Sequence, residues 1–226
     1  MAYVLGAANE VLADPLRPAD VVGSWAGLRP LLAAGGAART ADLSRRHRVE
    51  ASPGGVVTVT GGKLTTYRRM AADAVDEVVR LLGRGDRRSP TRTLALRGGR
   101  GGPPAGASVH LAGRYGSEAG RVAALAAQDP DLARPLVEGL PYLRAEAVYA
   151  ARHEMAATLD DVLSRRTRAL ILARDASAAA APAAARLLAR ELGWPAGRAE
   201  AEAAAYAAAC GRERAAAGLG TIPAGS

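Results

Sequence analysis

Several residue types on which many folds depend are scarce in this sequence. Its 226 residues include no phenylalanine, and aromatic residues make up only 4%. A hydrophobic core must therefore be built from leucine, valine and alanine. Hydrophobic residues reach 49% and charged residues 23%, which supports one substantial core or two small ones and argues against wholesale disorder.

Cysteine is nearly absent, because Cys210 is the only one. No disulfide can form within the chain, which suits the reducing cytoplasm. Cys210 lies in an alanine-rich helical pattern, which predicts a small buried residue. No apolar run approaches the roughly 18 residues of a membrane span. These absences favour a cytoplasmic protein.

Lysine is nearly absent as well, although the sequence is basic. The formal net charge is +8, and Lys63 is the only lysine among 30 lysines and arginines. The positive charges are scattered, and no segment matches a nucleic-acid-binding module, so we expect no nucleic-acid partner. Most arginines are predicted to lie on a solvated surface. Against this bias, Lys63 indicates a position that needs a compact ammonium group.

Phosphate-binding fingerprints are also missing. A Walker A loop would require glycine in place of Val57 and serine or threonine in place of Leu64. The glycine run at 98–102 follows no long strand and precedes no capped helix, so it is interpreted as part of a linker rather than as a GxGxxG motif.

Hydrophobic spacing predicts an α+β fold, with short strands, a hairpin and a long helix followed by an all-α carboxy-terminal domain. Ser117, Thr158 and Ser177 are predicted helix caps, and Pro182 is predicted to open a helix. Strands are predicted over 46–51 and 56–60. Helices are predicted over 3–13, 61–83, 107–114, 117–127, 144–156, 160–173, 183–192 and 197–213.

The main candidate site is the junction between the second strand and the long helix. Two glycines in a turn let an anionic ligand approach the backbone, and the helix start offers unpaired N–H groups and a positive dipole end. Such a junction suits phosphate or a ring carbonyl that gains negative charge. An ordinary turn with an adjacent lysine is the alternative. The residues concerned are Gly61, Gly62, Lys63, Leu64, Thr65 and Thr66.

Other polar residues give weaker signals. Arg29 lies on a backbone constrained by glycine and proline, where a guanidinium could bind phosphate or carboxylate, or could simply be a surface arginine. His47, in the cluster Ser44–His47, is interpreted as structural. The charged stretch 152–167 is interpreted as helix caps and ion pairs rather than as a metal site. Tyr67 and Tyr149 are predicted packing residues.

Three stretches together resemble the FAD-dependent glycerol-3-phosphate dehydrogenase family. DVVGSWAGLRPL at 20–31 and VTVTGGKLTTYRRMAADAVD at 57–76 have the order and separation found in that family. YAARHEMAATLDDVLSRRTR at 149–168 resembles its carboxy-terminal helical domain. The resemblance covers about residues 3–210, nearly the whole chain.

The resemblance implies a flavin enzyme that oxidises sn-glycerol 3-phosphate to dihydroxyacetone phosphate, with hydride transfer from substrate C2 to FAD. Electrons would pass to membrane quinone, or to oxygen in oxidase relatives. It implies that Arg29 binds or polarises the substrate and that Lys63 lies where flavin and substrate meet, so both are candidate catalytic residues. Cofactor contact is implied for Gly61, Gly62, Lys63, Leu64 and Thr65.

The family's amino-terminal FAD-binding fingerprint is not found in this sequence. We therefore expect a carboxy-terminal portion, a fragment or one piece of a split enzyme, that is inactive without an amino-terminal FAD-binding half. The predicted parts are a remnant of the catalytic FAD and substrate domain at 1–83, a linker at 84–106, a helical domain at 107–214 and a flexible tail at 215–226.

A second hypothesis belongs to a different class of function. The basic helical domain at 107–214 would be a non-catalytic module that associates with a partner subunit or with an anionic membrane surface. For the complete enzyme, the first hypothesis also allows peripheral contact at the inner face of the membrane.

Overall fold

The computed structural model describes residues 1–28, 46–85 and 89–219. Helices and one antiparallel hairpin make up the regular structure of these residues, which confirms the predicted α+β class. In chain order the elements are α1 (Ala2–Asn9), β1 (His47–Ala51), β2 (Val57–Gly61), α2 (Tyr67–Leu81), α3 (Val109–Tyr115), α4 (Ala119–Gln128), α5 (Arg144–His153), α6 (Ala169–Leu172), α7 (Arg174–Leu192) and α8 (Arg198–Ala216).

The chain divides into two compact units. One contains Met1–Trp25 and Arg97–Ser226, and the other contains Ala26–Leu96. We call them the helical unit and the hairpin unit. The domain boundaries predicted from composition stay a prediction.

The hairpin unit pairs β1 with β2 in the predicted place. His47 lies opposite Gly61 and Ala51 lies opposite Val57. The turn closes through the Gly55 N–H, which donates to the Ser52 carbonyl at 2.9 Å, and Gly55 has φ of +83°, a value that glycine adopts without strain. The strand predictions are thus confirmed to within one residue.

The helical unit holds the main core. Helices α7 and α8 pack together, and α5 packs on both α4 and α7. In the absence of phenylalanine, the large core side chains are leucine, valine and tyrosine, with alanine at the close helix contacts. Tyr149 is buried as predicted, whereas the prediction for Tyr67 is wrong because its side chain is 60% exposed. Cys210 is buried, also as predicted.

The predicted start of a helix at Pro182 is wrong. Pro182 lies inside α7, which begins eight residues earlier at Arg174. An internal proline removes one backbone hydrogen bond, but the alanine-rich sequence favours helix, and Ala181 and Ala184 are fully buried against neighbouring helices. Ser177 does not cap a helix either, because its buried hydroxyl lies 2.5 Å from the Tyr206 hydroxyl.

The helix predicted over 160–173 is interrupted. A π-helical turn covers Asp161–Arg166, and α6 follows after Arg168, whose φ is +58°. Thr167 holds the π turn, since its N–H and its hydroxyl both donate to the Val162 carbonyl at 2.9 Å. Within the described residues, no helix has the length and hydropathy needed to cross a bilayer.

Candidate functional site

The junction between β2 and α2 is a turn that requires glycine. Gly61, which is buried, has φ of +73°, and Gly62 has φ of +84°. A Cβ at Gly62 would overlap the side chain of Met70 in α2 and would lie 3.3 Å from the His47 Cβ. The positive φ values therefore favour glycine at both positions, and a side chain at Gly62 would also require the Met70 side chain to move.

Lys63 follows the glycines in an extended conformation and leads into a short 3₁₀ turn, Leu64–Thr66. The Thr66 hydroxyl accepts from the Lys63 N–H at 3.1 Å and donates to the Lys63 carbonyl at 2.9 Å. The Lys63 backbone is thus fixed through both of its polar groups. The side chain is exposed, and none of the ion pairs among the described residues includes it.

The first N–H groups of this turn point to the chemistry that the junction can perform. No backbone acceptor is found for the Leu64 and Thr65 N–H groups within residues 46–85. Unpaired N–H groups at a helix start, together with an exposed ammonium group, stabilise negative charge on a ligand. This donor set fits a phosphate or an electron-rich ring that becomes anionic.

His47 connects the hairpin to α2. Its Nε2 lies 2.7 Å from the Asp73 Oδ2 in α2, and the Arg69 Nε lies 2.9 Å from the other oxygen of Asp73. These contacts hold β1 against α2 next to Gly62. The interpretation of His47 as a structural residue agrees with this geometry, while Ser44 and Arg45 lie outside the described residues.

Arg29 also lies outside the described residues, so its role stays a prediction. The motif that contains it begins in the helical unit, where a Cβ at Gly23 would lie only 2.7 Å from the Ile171 Cα. The Ser24 N–H and hydroxyl both donate to the Glu213 Oε1, the former at 2.7 Å. Sequence reasoning missed this attachment because no local pattern links residues 189 positions apart.

A buried arginine completes this attachment. The Arg174 N–H donates to the Val22 carbonyl at 3.1 Å, and its Nη1 lies 3.1 Å from the Glu213 Oε2. Arg174 is only 2% exposed, and Asp175 also pairs with its guanidinium. The helical unit therefore binds residues 22–24 through both backbone and charged groups.

The charged stretch 152–167 forms caps and ion pairs as interpreted. The Asp161 carboxylate accepts from the Ala157 N–H and from the N–H and hydroxyl of Thr158, and it pairs with Arg166. Burial acts to raise the pKa of Asp161, but these hydrogen bonds and Arg166 outweigh it and lower the pKa to about 2. Among the described residues, no cluster of three or more metal-ligating side chains is found.

A second polar network lies inside the helical unit. Glu146 is fully buried in α5, and its carboxylate accepts from the Tyr115 hydroxyl at 2.9 Å and lies 2.8 Å from the His110 Nε2. Arg114 completes the group at 3.1 Å. The three side-chain partners come from α3, and the Leu143 N–H at the start of α5 also donates to the Glu146 Oε1 at 2.9 Å, so this network joins α3 to α5 and has the character of a structural core.

A family model described as the C-terminal domain of alpha-glycerophosphate oxidase matches residues 59–199, more than half of the chain. The chain belongs to this family. The match begins in β2 and includes the Gly61–Thr65 turn together with α2 through α7. The recognition made from the three sequence stretches is confirmed.

The relatives that this chain matches are named glycerol-3-phosphate dehydrogenases. Glycerol-3-phosphate dehydrogenase 2 of Mycobacterium tuberculosis is 42% identical over 221 residues, which cover 91% of this chain and 38% of the relative. A mitochondrial glycerol-3-phosphate dehydrogenase of Arabidopsis thaliana is 38% identical over 220 residues, covering 85% of this chain and 35% of the relative.

A solved structure gives the same family. The crystal structure of glycerol-3-phosphate dehydrogenase from Bacillus halodurans, complexed with FAD, superposes with a TM-score of 0.69 at 28% identity. The superposition covers 98% of this chain and 46% of that protein. The chain thus spans less than half the length of the relatives that it matches.

Proposed function

We propose that the chain supplies the substrate-side and helical parts of an FAD-dependent glycerol-3-phosphate dehydrogenase. In this enzyme sn-glycerol 3-phosphate is oxidised to dihydroxyacetone phosphate, and the chain works only with an amino-terminal FAD-binding half, in the same polypeptide or in trans. The observation that carries the proposal is the Gly61–Gly62–Lys63 junction. It combines two glycines of positive φ, a fixed lysine backbone and an exposed ammonium group.

The junction fits a flavin through its donor chemistry. Bound FAD would accept the hydride that leaves C2 of the substrate. The Leu64 and Thr65 N–H groups, which lack acceptors within the described residues, would stabilise negative charge that develops on the ring. Lys63 would add a positive charge beside the substrate in the form of a compact ammonium group.

Arg29 has the complementary role in this proposal. A guanidinium binds a phosphate or a polarised oxygen through paired N–H groups. Arg29 would hold the substrate in this way while Lys63 acts at the reacting centre. Quinone as the electron acceptor and peripheral contact with the membrane belong to the same proposal and are supported by the family resemblance alone.

The hairpin unit supports the need for a second half. The sheet formed by its described residues has two strands, and a two-stranded hairpin is marginally stable by itself. A stripe of α2 also lies uncovered, since the structure exposes Tyr67, Ala71, Val75, Val78 and Leu82, which recur at helical spacing. Another protein segment would bury this stripe and extend the sheet.

Reconstitution tests the proposal directly. The purified chain is mixed with the amino-terminal half of a matching dehydrogenase, and flavin binding and dye reduction with glycerol 3-phosphate are measured. We expect bound flavin and activity in the mixture, a loss of activity of at least about tenfold for Lys63→Gln, and little change for Arg84→Gln. Arg84 is a suitable control because it is an exposed basic residue beyond the far end of α2.

Two results would end the proposal. One is a mixture that forms a stable complex but neither retains flavin nor reduces the dye. The other is an equal loss of activity for Lys63→Gln and Arg84→Gln, since that would assign Lys63 to the general surface charge.

A further inference from the structure

A groove of about 530 Å³ lies on the helical unit, whereas the Gly61–Thr65 turn belongs to the hairpin unit. Its volume is within the range of small-molecule sites. We call it the arginine groove. It is lined by Asp131, Arg144, Arg186 and Arg190, with Ala183 and Leu187 of α7 among its apolar residues.

Two of these arginines have no charged partner in the described part of the chain. Arg186 and Arg190 are exposed, and none of the hydrogen bonds or ion pairs among the described residues includes their guanidinium groups. They are four residues apart in α7, a spacing at which like charges destabilise a helix. The neighbouring carboxylate of Glu191 cannot relieve them, because it is bound by Arg152 at 2.5 and 2.8 Å.

The third arginine has an unsatisfied donor. The Arg144 Nη1 pairs with Asp131, but its Nε is buried and has no hydrogen-bond partner in the described part of the chain. A buried N–H without an acceptor is costly. Asp131 cannot neutralise the groove, because the same carboxylate oxygen also pairs with Arg134 at 3.3 Å.

We propose that the arginine groove binds a phosphate ester. The groove is lined by three arginines and by one aspartate, Asp131, whose carboxylate is shared between Arg144 and Arg134. The groove therefore has a net positive charge that an anion would neutralise. Planar guanidinium groups bind the oxygens of a phosphate in pairs. The apolar residues beside them accommodate the carbon portion of the ester.

The shared chemistry can come from two sources, a soluble phosphate ester or the headgroup of an anionic phospholipid. Isothermal titration of the full chain with inorganic phosphate at physiological salt tests the first. Cosedimentation with phosphatidylcholine vesicles that contain phosphatidylglycerol tests the second, with pure phosphatidylcholine vesicles as the reference. Neither measurement requires flavin or activity, so both are independent of the proposed dehydrogenase function.

A matched pair of variants separates a built site from general basic charge. Arg186→Gln/Arg190→Gln removes two charges from the groove. Arg100→Gln/Arg212→Gln removes two charges from exposed arginines elsewhere that also lack partners among the described residues. All four side chains are exposed, so the fold should persist, and thermal unfolding verifies this. If the groove double variant fails to fold, Arg186→Gln replaces it.

We expect the unmodified chain to bind at least one of the two ligands, with affinity reduced about tenfold or more in the groove variant and less than about twofold in the control. Binding of free phosphate assigns the groove to a soluble ester, and binding only to phosphatidylglycerol vesicles assigns it to a lipid headgroup. If neither ligand binds, or if both double variants lose affinity equally, the proposal is overturned.

Discussion

The Glu213 carboxylate accepts both hydrogen bonds that Ser24 donates, from the backbone N–H at 2.7 Å and from the hydroxyl. The other oxygen of Glu213 pairs with Arg174, which is 2% exposed. A carboxylate in α8 thus binds the segment that precedes Arg29 in the chain and also balances a buried charge.

Replacing Glu213 should destabilise the helical unit. Glu213→Ala leaves the buried Arg174 with Asp175 as its remaining ion-pair partner and removes the acceptor of both hydrogen bonds that Ser24 donates. Breaking a buried ion pair lowers the free energy of unfolding by about 3 kcal/mol. Because Arg174 keeps its pair with Asp175, we expect a loss of about 2–3 kcal/mol. Urea unfolding measures the loss, and Glu138→Ala, at an exposed glutamate, serves as the control. Equal unfolding midpoints for the two variants would show that the buried pair adds nothing.

Gly23 should tolerate no side chain. Its backbone lies so close to Ile171 that the Cβ of Gly23→Ala would meet the Ile171 Cα and carbonyl at 2.7 Å. Overpacking of this kind costs about 1–3 kcal/mol. The matched control is Gly113→Ala, because Gly113 lies in α3 with nothing within 4 Å, and alanine there should stabilise the helix by up to about 1 kcal/mol. Thermal unfolding that ranks the two variants in the opposite order contradicts the contact with Ile171.

Asp161 should make stability depend on pH in the acidic range. Its pKa is lowered to about 2 in the folded chain from an ordinary 3.8, so the unfolded chain binds the proton more tightly. The stabilisation, about 2 kcal/mol, is present above pH 4 and is lost as the pH falls towards 2. Denaturant unfolding of Asp161→Asn should therefore differ most from the unmodified chain at neutral pH. A difference that stays constant from neutral pH to pH 2 would show that the charge of Asp161 is not responsible.

Gly62→Ala should destabilise the junction between β2 and α2 locally. The alanine must adopt φ near +84° and must displace the Met70 side chain. The strain of the backbone alone costs about 1 kcal/mol or more. Hydrogen exchange of α2 should become faster in this variant. Gly55→Ala, which has the same sign of φ but nothing within 4 Å, separates the backbone strain from the clash. Identical exchange in both variants would mean that Met70 moves aside freely.

Local patterns predicted the hairpin, the family and most of α2, although α2 begins at Tyr67 rather than at the predicted residue 61 because a 3₁₀ turn, Leu64–Thr66, precedes it. Branched residues at Val57 and Val59 favour a strand, and the Ser52–Gly55 turn closes it, so the register followed from neighbours in the chain. The glycine junction was predicted for the same reason. Its geometry depends mainly on neighbouring residues, apart from the pairing of Gly61 with His47 and the contact of Gly62 with Met70.

The start of α7 and the π turn before α6 could not be predicted from local patterns. Pro182 and Ser177 are both typical of helix starts, yet both lie inside α7 because the burial of Ala181 and Ala184 outweighs the local signals. The π turn at Asp161–Arg166 likewise depends on Thr167, whose donors reach back five residues instead of four.

The sequence by itself determined the order of helices and strands, the family and the glycine turn before Lys63. Each of these depends on residues that are close in the chain, where periodicity, glycine and branched side chains act directly on the backbone. Only the tertiary structure decided that Ser24 binds Glu213 and that Arg144, Arg186 and Arg190 line one groove. Such contacts form when helices pack to bury their apolar faces, and packing brings together charges that no local pattern connects.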